Sequence, residues 1–247
     1  MEHREMLTPP DSEINPGKKR KYFQKLAMKY LPGMRLMLRG GRLSKAEGWR
    51  NVMEHCIAQV AAAESLCDLL KLDEKTKKRI TVTAACHDWQ KRLDTELAKD
   101  TINPEDRQEI MARSQRFIEE ANPDETLLFA TSENHFKKSI QEPEKVSLAE
   151  KIQDYLDNIH RGSEIVSFDE RIEEVSTRNP NVGKTLEENN ELGGLSFWEA
   201  VRQIGKAEER EIFELLRKQG VAVNTPEEIP QIIKAEIVRR INEIEII

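Results

Sequence analysis

At 247 residues, with a formal net charge of −6, 38% hydrophobic, 34% charged and 5% aromatic residues, the chain can bury a sizeable core and is rich in helix formers. No run approaches the about 18 apolar residues of a membrane helix, and MEHREMLTPPDSE lacks an apolar stretch after a basic region. The sequence therefore predicts no membrane partner, no secretory signal and a cytoplasmic location.

Residues 1–17, with Pro9, Pro10, Pro16 and Gly17, read as a flexible leader. Lys18 to Tyr30 is a basic amphipathic helix with Tyr22, Phe23, Leu26 and Tyr30 as its apolar side, broken by Pro32-Gly33. A short helix follows with Arg35, Arg39 and Arg42 on one face. From Lys18 to Arg50 the charge is about +10 and over the remainder about −16. This block suits phosphate-bearing partners, nucleic acid among them, and suits equally a segment docked on the protein's own acidic body.

Ser44 to Glu47 is a capping box that opens a helix to about Leu70, with Trp49, Val52, Met53, Cys56, Val60 and Ala63 on its stripe and His55 at the border. Asp73 caps a helix through Ile80 and His87 to about Lys91. Further helices are expected over about 104–120, from Asp124 to near His135, over about 144–160 until Gly162, and from the capping box Ser167–Glu170 to Asn179-Pro180. The polar stretch 181–194 reads as a linker or active-site flap. In it, Asn181 to Thr185 lacks the first glycine of a phosphate loop and any preceding strand. Ser196–Glu199 opens a long helix closed by Gly220, and Thr225-Pro226 starts the last segment. This helical extension, 195–247, packs on the core or on a second copy as a homo-oligomer contact. The expected fold is all-α.

Cys56, Cys67 and Cys86 form no CxxC pair and leave an odd one, against a disulfide framework. The residues that carry chemistry are the adjacent His87-Asp88, inside TVTAACHDWQKRLD, and His55 on the preceding helix. An imidazole and a carboxylate in apolar surroundings cost desolvation energy unless something pairs with them, and a divalent cation does so. The helix near 150–160 adds Glu150, Asp154 and Asp157 on one face. By spacing alone these three read as a solvated face, with one of them a candidate fourth ligand. Such a donor set suits Mn²⁺, Fe²⁺, Co²⁺, Zn²⁺ or, less well, Mg²⁺.

The order His55, then His87-Asp88, then a distant acid resembles the HD superfamily of metal-dependent phosphohydrolases, all-helical domains named for the adjacent pair. AACHDWQK is similar to that family's apolar run ending in HD-x-x-K, and KIQDYLDNIHRGSEIVSFDER to the KIVYYADKR…IVSLEER segment of small prokaryotic members. In that register Asp157 is the last ligand; the competing register, Ala149-Glu150-Lys151, makes it Glu150. The downstream match favours Asp157. Trp89-Gln90 stands where an aliphatic-glycine pair is common, and Leu156 where the family has alanine.

The resemblance covers about residues 44–180 and implies an HD-domain bundle over 18–180, basic helices included. It implies a metal held by His55, His87, Asp88 and Asp157, and a metal-activated water that attacks a nucleotide or other small phosphate ester. Lys91, with Arg42 or Arg50, would neutralise the phosphoryl oxygens. His135 sits where some relatives carry another histidine, to bind phosphate, protonate a leaving group or ligate a second metal. The alternative reading is a non-catalytic module that uses the Lys18–Arg50 face to bind nucleic acid or a protein.

Overall fold

Several helix starts in this chain are set by short polar side chains that satisfy the free N–H groups of a first turn. The computed structural model describes residues 14–31, 50–88 and 133–245, with isolated helical positions at 105, 108, 109, 112 and 116. The expected starts at Ser44 and Asp124 and the arginine face 35–42 lie outside the described residues. Among the described residues the architecture is all-α apart from one minimal hairpin.

Helix α1 (Pro16–Lys29) begins within the expected leader, because Asn15 Oδ1 accepts from Gly17 N at 2.8 Å and Pro16 takes the first helical position. Helix α2 (Arg50–Leu69) leads to α3 (Glu74–Ala84), capped by Asp73 Oδ1, which accepts from Thr76 N at 3.0 Å. Helix α4 (Glu133–Gln141) precedes a 3₁₀ turn over Pro143–Lys145. Helix α5 (Leu148–Asp157) then starts at the capping box of Ser147 and Glu150, later than the proline suggests. It ends ahead of Gly162, in an antiparallel hairpin that pairs β1 (His160–Arg161) with β2 (Glu164–Ile165). Helix α6 (Phe168–Arg178) is capped by Ser167 as expected.

The stretch read as a linker or flap is anchored instead. It carries α7 (Lys184–Glu188) and buries Leu186 and Leu192 in the common core. At its start Gly183, with φ of 76°, lies so close to Phe197 that an added Cβ would come within 2.2 Å of the ring. Ser196 and Glu199 close a reciprocal box on α8 (Phe197–Lys218), which stops before Gly220. Helix α9 (Ile229–Asn242) follows a 3₁₀ turn over Pro226–Glu228.

Helix α2 is the axis of the packing and touches α1, α3, α5, α9 and β1. Cys56, Val60, Ala61, Ala62, Ala63, Leu66 and Cys67 on it are fully buried, so the helix is apolar on nearly every side. Each fully buried Leu or Ile contributes about 1.5–3 kcal/mol, and here these side chains belong to one continuous cluster. The C-terminal helices belong to it too: α8 lies on α4, α5 and α6, and α9 on α1 and α2. The apolar faces expected to meet either the core or a second copy meet the core.

Buried Glu64 on α2 ties α1 and α9 to this axis. Tyr30 Oη donates to its Oε1 at 2.6 Å, Lys29 pairs with the same carboxylate, and Arg240 Nη1 lies 3.6 Å from Oε2. Lys18 and Lys21 donate to the carbonyls of Asn242 and Glu245 at 2.6 and 2.8 Å. The basic first helix thus docks in part on its own body. No helix among the described residues is long and apolar enough to cross a membrane.

Candidate metal centre

The first helix pair and α5 bring four expected residues together. His55 comes from α2 and Asp157 ends α5. His87 and Asp88 do not lie on a helix running to Lys91, as the apolar periodicity suggests; α3 ends at Ala84 and they occupy the turn after it. The last turn tightens through Cys86 N, which donates to Thr83 O at 3.0 Å, while His87 Nδ1 donates to Ala84 O at 3.0 Å. A side-chain bond to the helix end replaces the continuing helix.

Nε2 of His55 and Nε2 of His87 are 3.0 Å apart. Asp157 Oδ1 lies 3.3 Å from the first and 3.2 Å from the second. The carboxylate of Asp88 approaches them at 3.7 and 3.6 Å. His55, His87 and Asp88 are buried, whereas the Asp157 side chain is 30% exposed, so the cluster opens to solvent on that side.

The tautomers follow from the backbone. His55 Nδ1 is 2.7 Å from Gly162 O in the hairpin turn, and a carbonyl only accepts, so Nδ1 carries the proton. The same reasoning puts the proton of His87 on Nδ1, facing Ala84 O, with Cys56 Sγ 3.8 Å away. In its neutral form each ring would turn an Nε2 lone pair toward the other and toward two carboxylates. Four electron-rich atoms in one buried spot repel unless a positive charge lies among them, and a divalent cation held by two nitrogens and carboxylate oxygens meets that need. His55, His87 and Asp88 could therefore hold a metal ion. In the metal-free chain, burial pushes the pKa of His87 down, but the charges of Asp88, Cys56 and Asp157 outweigh it and hold it well above normal. Burial pushes Asp157 up, yet the imidazoles of His87 and His55 keep it well below the carboxylate range.

Glu150, the alternative fourth ligand, is engaged elsewhere. It accepts from Ser147 N at 2.8 Å and from Lys138 Nζ at 2.7 Å, as half of the cap of α5. Lys91, Arg42, Trp89 and Gln90 lie outside the described residues, as does the side chain of Arg50.

Two other expectations change. His135 is no terminal histidine facing the end of a helix, since α4 runs on to Gln141. It is buried, and its neighbours are Asp154 Oδ2 at 3.9 Å and Glu208 Oε1 at 3.6 Å, not His55 or His87. Asp154 is 1% exposed and so is not part of a solvated face. Burial lowers the pKa of His135 to about 4 and raises that of Asp154 to about 7 and of Glu208 well above normal.

His160 was given no role by sequence reasoning, yet it is fully buried with its ring 5.9 Å from that of His55. Its Nδ1 donates to Leu156 O at 2.5 Å, and burial followed by the charge of His55 lowers its pKa to about 3. A single histidine in a two-residue strand leaves no periodic signal. Glu208 did leave one: it falls four residues after Ile204 and four before Ile212, on the buried stripe of α8. The three cysteines form no disulfide and are buried, and burial raises the Cys67 thiol to about 12, as expected of a small core hydrophobe and not of a thiolate ligand.

No family model, curated protein or solved structure matches the chain.

Proposed function

We propose that the protein is a metal-dependent phosphohydrolase of the HD type, acting on a nucleotide or another small phosphate ester. The observation that carries this is the convergence of His55 Nε2, His87 Nε2 and the carboxylates of Asp88 and Asp157, with both Nδ1 protons tied to backbone carbonyls. A divalent cation, Mn²⁺, Fe²⁺, Co²⁺, Zn²⁺ or less well Mg²⁺, supplies a Lewis acid at such a site and brings the pKa of a bound water toward neutrality.

The chain's own residues do the rest. The carbonyls of Gly162 and Ala84 hold the two imidazoles in one tautomer and orientation, so no reorganisation is needed when charge develops. Asp88 and Asp157 supply negative charge to balance a cation, and the partial exposure of Asp157 leaves a side from which a phosphate ester can approach. In this reading Lys91, with Arg42 or Arg50, would neutralise the phosphoryl oxygens. Binding through the basic segment has weaker support, because Lys18, Lys21 and Lys29 are engaged within the chain.

The test is phosphate release from nucleoside mono-, di- and triphosphates and cyclic dinucleotides with added Mn²⁺, for wild type and Asp88→Ala. The expected result is release by wild type that falls by about 10²–10⁴-fold in the variant, the equivalent of several kcal/mol of lost charge stabilisation. Equal release by both, or none from metal-loaded wild type on any substrate, would count against the reading.

A further inference from the structure

We infer that His135, Asp154 and Glu208 form a second divalent-cation site, sharing no ligand with the first, which fastens α8 to α4 and α5. The three side chains come from those three helices, are all buried, and turn donor atoms toward one another. Nε2 of His135 lies 3.6 Å from Glu208 Oε1 and 3.9 Å from Asp154 Oδ2, and Ser139 Oγ is 3.3 Å from the same nitrogen. Bonds of about 2.0–2.2 Å to nitrogen and oxygen put neighbouring donors about 3.0–3.5 Å apart. The observed spacings reach that by side-chain rotations of a few tenths of an ångström.

The independent observation is the state of the carboxylates. Asp154 Oδ2 and both oxygens of Glu208 are buried with no hydrogen-bond partner among the described residues. A buried polar or charged oxygen is not left in that state without cost. A proton shared between the two carboxyls satisfies one contact and still leaves Glu208 Oε1 beyond hydrogen-bond reach of His135. One imidazole and two carboxylates form a set suited to Zn²⁺, Mn²⁺, Fe²⁺ or Co²⁺. Glu208 and Ser139 also line a cavity of about 330 Å³ between α4, α5 and α8, which provides the entry path.

The experiment uses the full chain, stripped with a chelator, reloaded with Zn²⁺ or Mn²⁺, desalted and counted for bound metal. His55→Gln/His87→Gln removes both imidazoles of the first cluster; adding Glu208→Gln removes the charge of the second in a side chain of equal size. The first variant is expected to keep one ion per chain, with a melting temperature that rises on adding Zn²⁺. The triple variant is expected to bind at least tenfold more weakly and to show no such rise, its helix content by circular dichroism being unchanged. Should the triple variant fail to fold, His135→Gln in place of Glu208→Gln reads the same quantity. An absence of bound metal in the first variant, or equal binding after the second cluster is changed, overturns the inference. Failure of the first site reads differently: wild type and the His55→Gln/His87→Gln chain would then hold the same number of ions.

Discussion

The two histidine clusters flank one helix, α5, and share a chemical type, yet they are built in opposite ways. In the first, each imidazole is locked by a bond from Nδ1 to a backbone carbonyl, and one carboxylate, Asp157, faces solvent. In the second, Ser139 Oγ lies at 3.3 Å from the Nε2 of the imidazole, and the two carboxylates beside it are both buried, on facing helices. Metal sites divide along the same line: those that react keep an open position and a rigid outer shell, whereas structural ones are closed. One turn of helix, from Asp154 to Asp157, separates the two designs.

The sharpest way to break this contrast is to remove the acid on the open side. Asp157→Ala should release the ion of the first cluster and lower phosphate release by about 10²–10⁴-fold. The ion held by His135, Asp154 and Glu208 should remain. Metal counts and turnover measured on one preparation separate the effects; loss of both ions together would mean that the clusters are one site.

A smaller effect sharpens the account of what stands behind the first cluster. His160 is neutral in the folded chain, with a pKa lowered to about 3, against about 6.5 when unfolded. Between those values the unfolded chain binds the extra proton, so this histidine's contribution to stability rises with pH, is complete above about 6.5, and is lost as pH falls toward 3. His160→Asn keeps a donor for Leu156 O and does not titrate. Urea unfolding of the chelated proteins should show wild type losing up to about 1.4 kcal/mol per pH unit relative to the variant from pH 6 to 4. A constant difference over that range would show that His160 is protonated in the fold.

Much of the fold was legible because its signals are local. Asp73, Ser167 and the Ser196–Glu199 pair were read as caps and cap the helices expected of them, since each needs only its own first turn. The end of α3 was not legible. Thr83-Ala84-Ala85-Cys86 contains no breaker, and the stop involves His87 Nδ1 and Ala84 O, a bond whose purpose is visible only beside His55. The anchoring of 181–194 was hidden for a related reason: Leu186 and Leu192 are isolated in a polar stretch, and only the folded core shows what they reach. At the site, His55, His87 and Asp88 were identified by order along the chain. Asp154 is named in the sequence but reads there as part of a solvated face, and Glu208 carries no reading at all, because three acids at helical spacing suggest a solvated face and a lone acid on an apolar stripe suggests no role until its burial is seen.

The least disruptive test concerns Glu150, the acid that competed with Asp157 for the role of ligand. Its Oε2 accepts from Ser147 N at 2.8 Å and Ser147 Oγ at 2.7 Å, and its Oε1 accepts from Lys138 at 2.7 Å. Burial raises its pKa, but the bonds from Lys138 and Ser147 more than compensate and hold it below normal, so it is ionised while capping. Glu150→Ala removes the reciprocal half of the box and the tie from α5 to α4, a loss of about 0.5–2 kcal/mol. Because neither imidazole of the first cluster contacts it, metal content there and turnover at saturating Mn²⁺ should match wild type at temperatures where both are folded. A loss of turnover comparable to that of Asp157→Ala would transfer the ligand role to Glu150 and reverse the assignment of the two ends of α5.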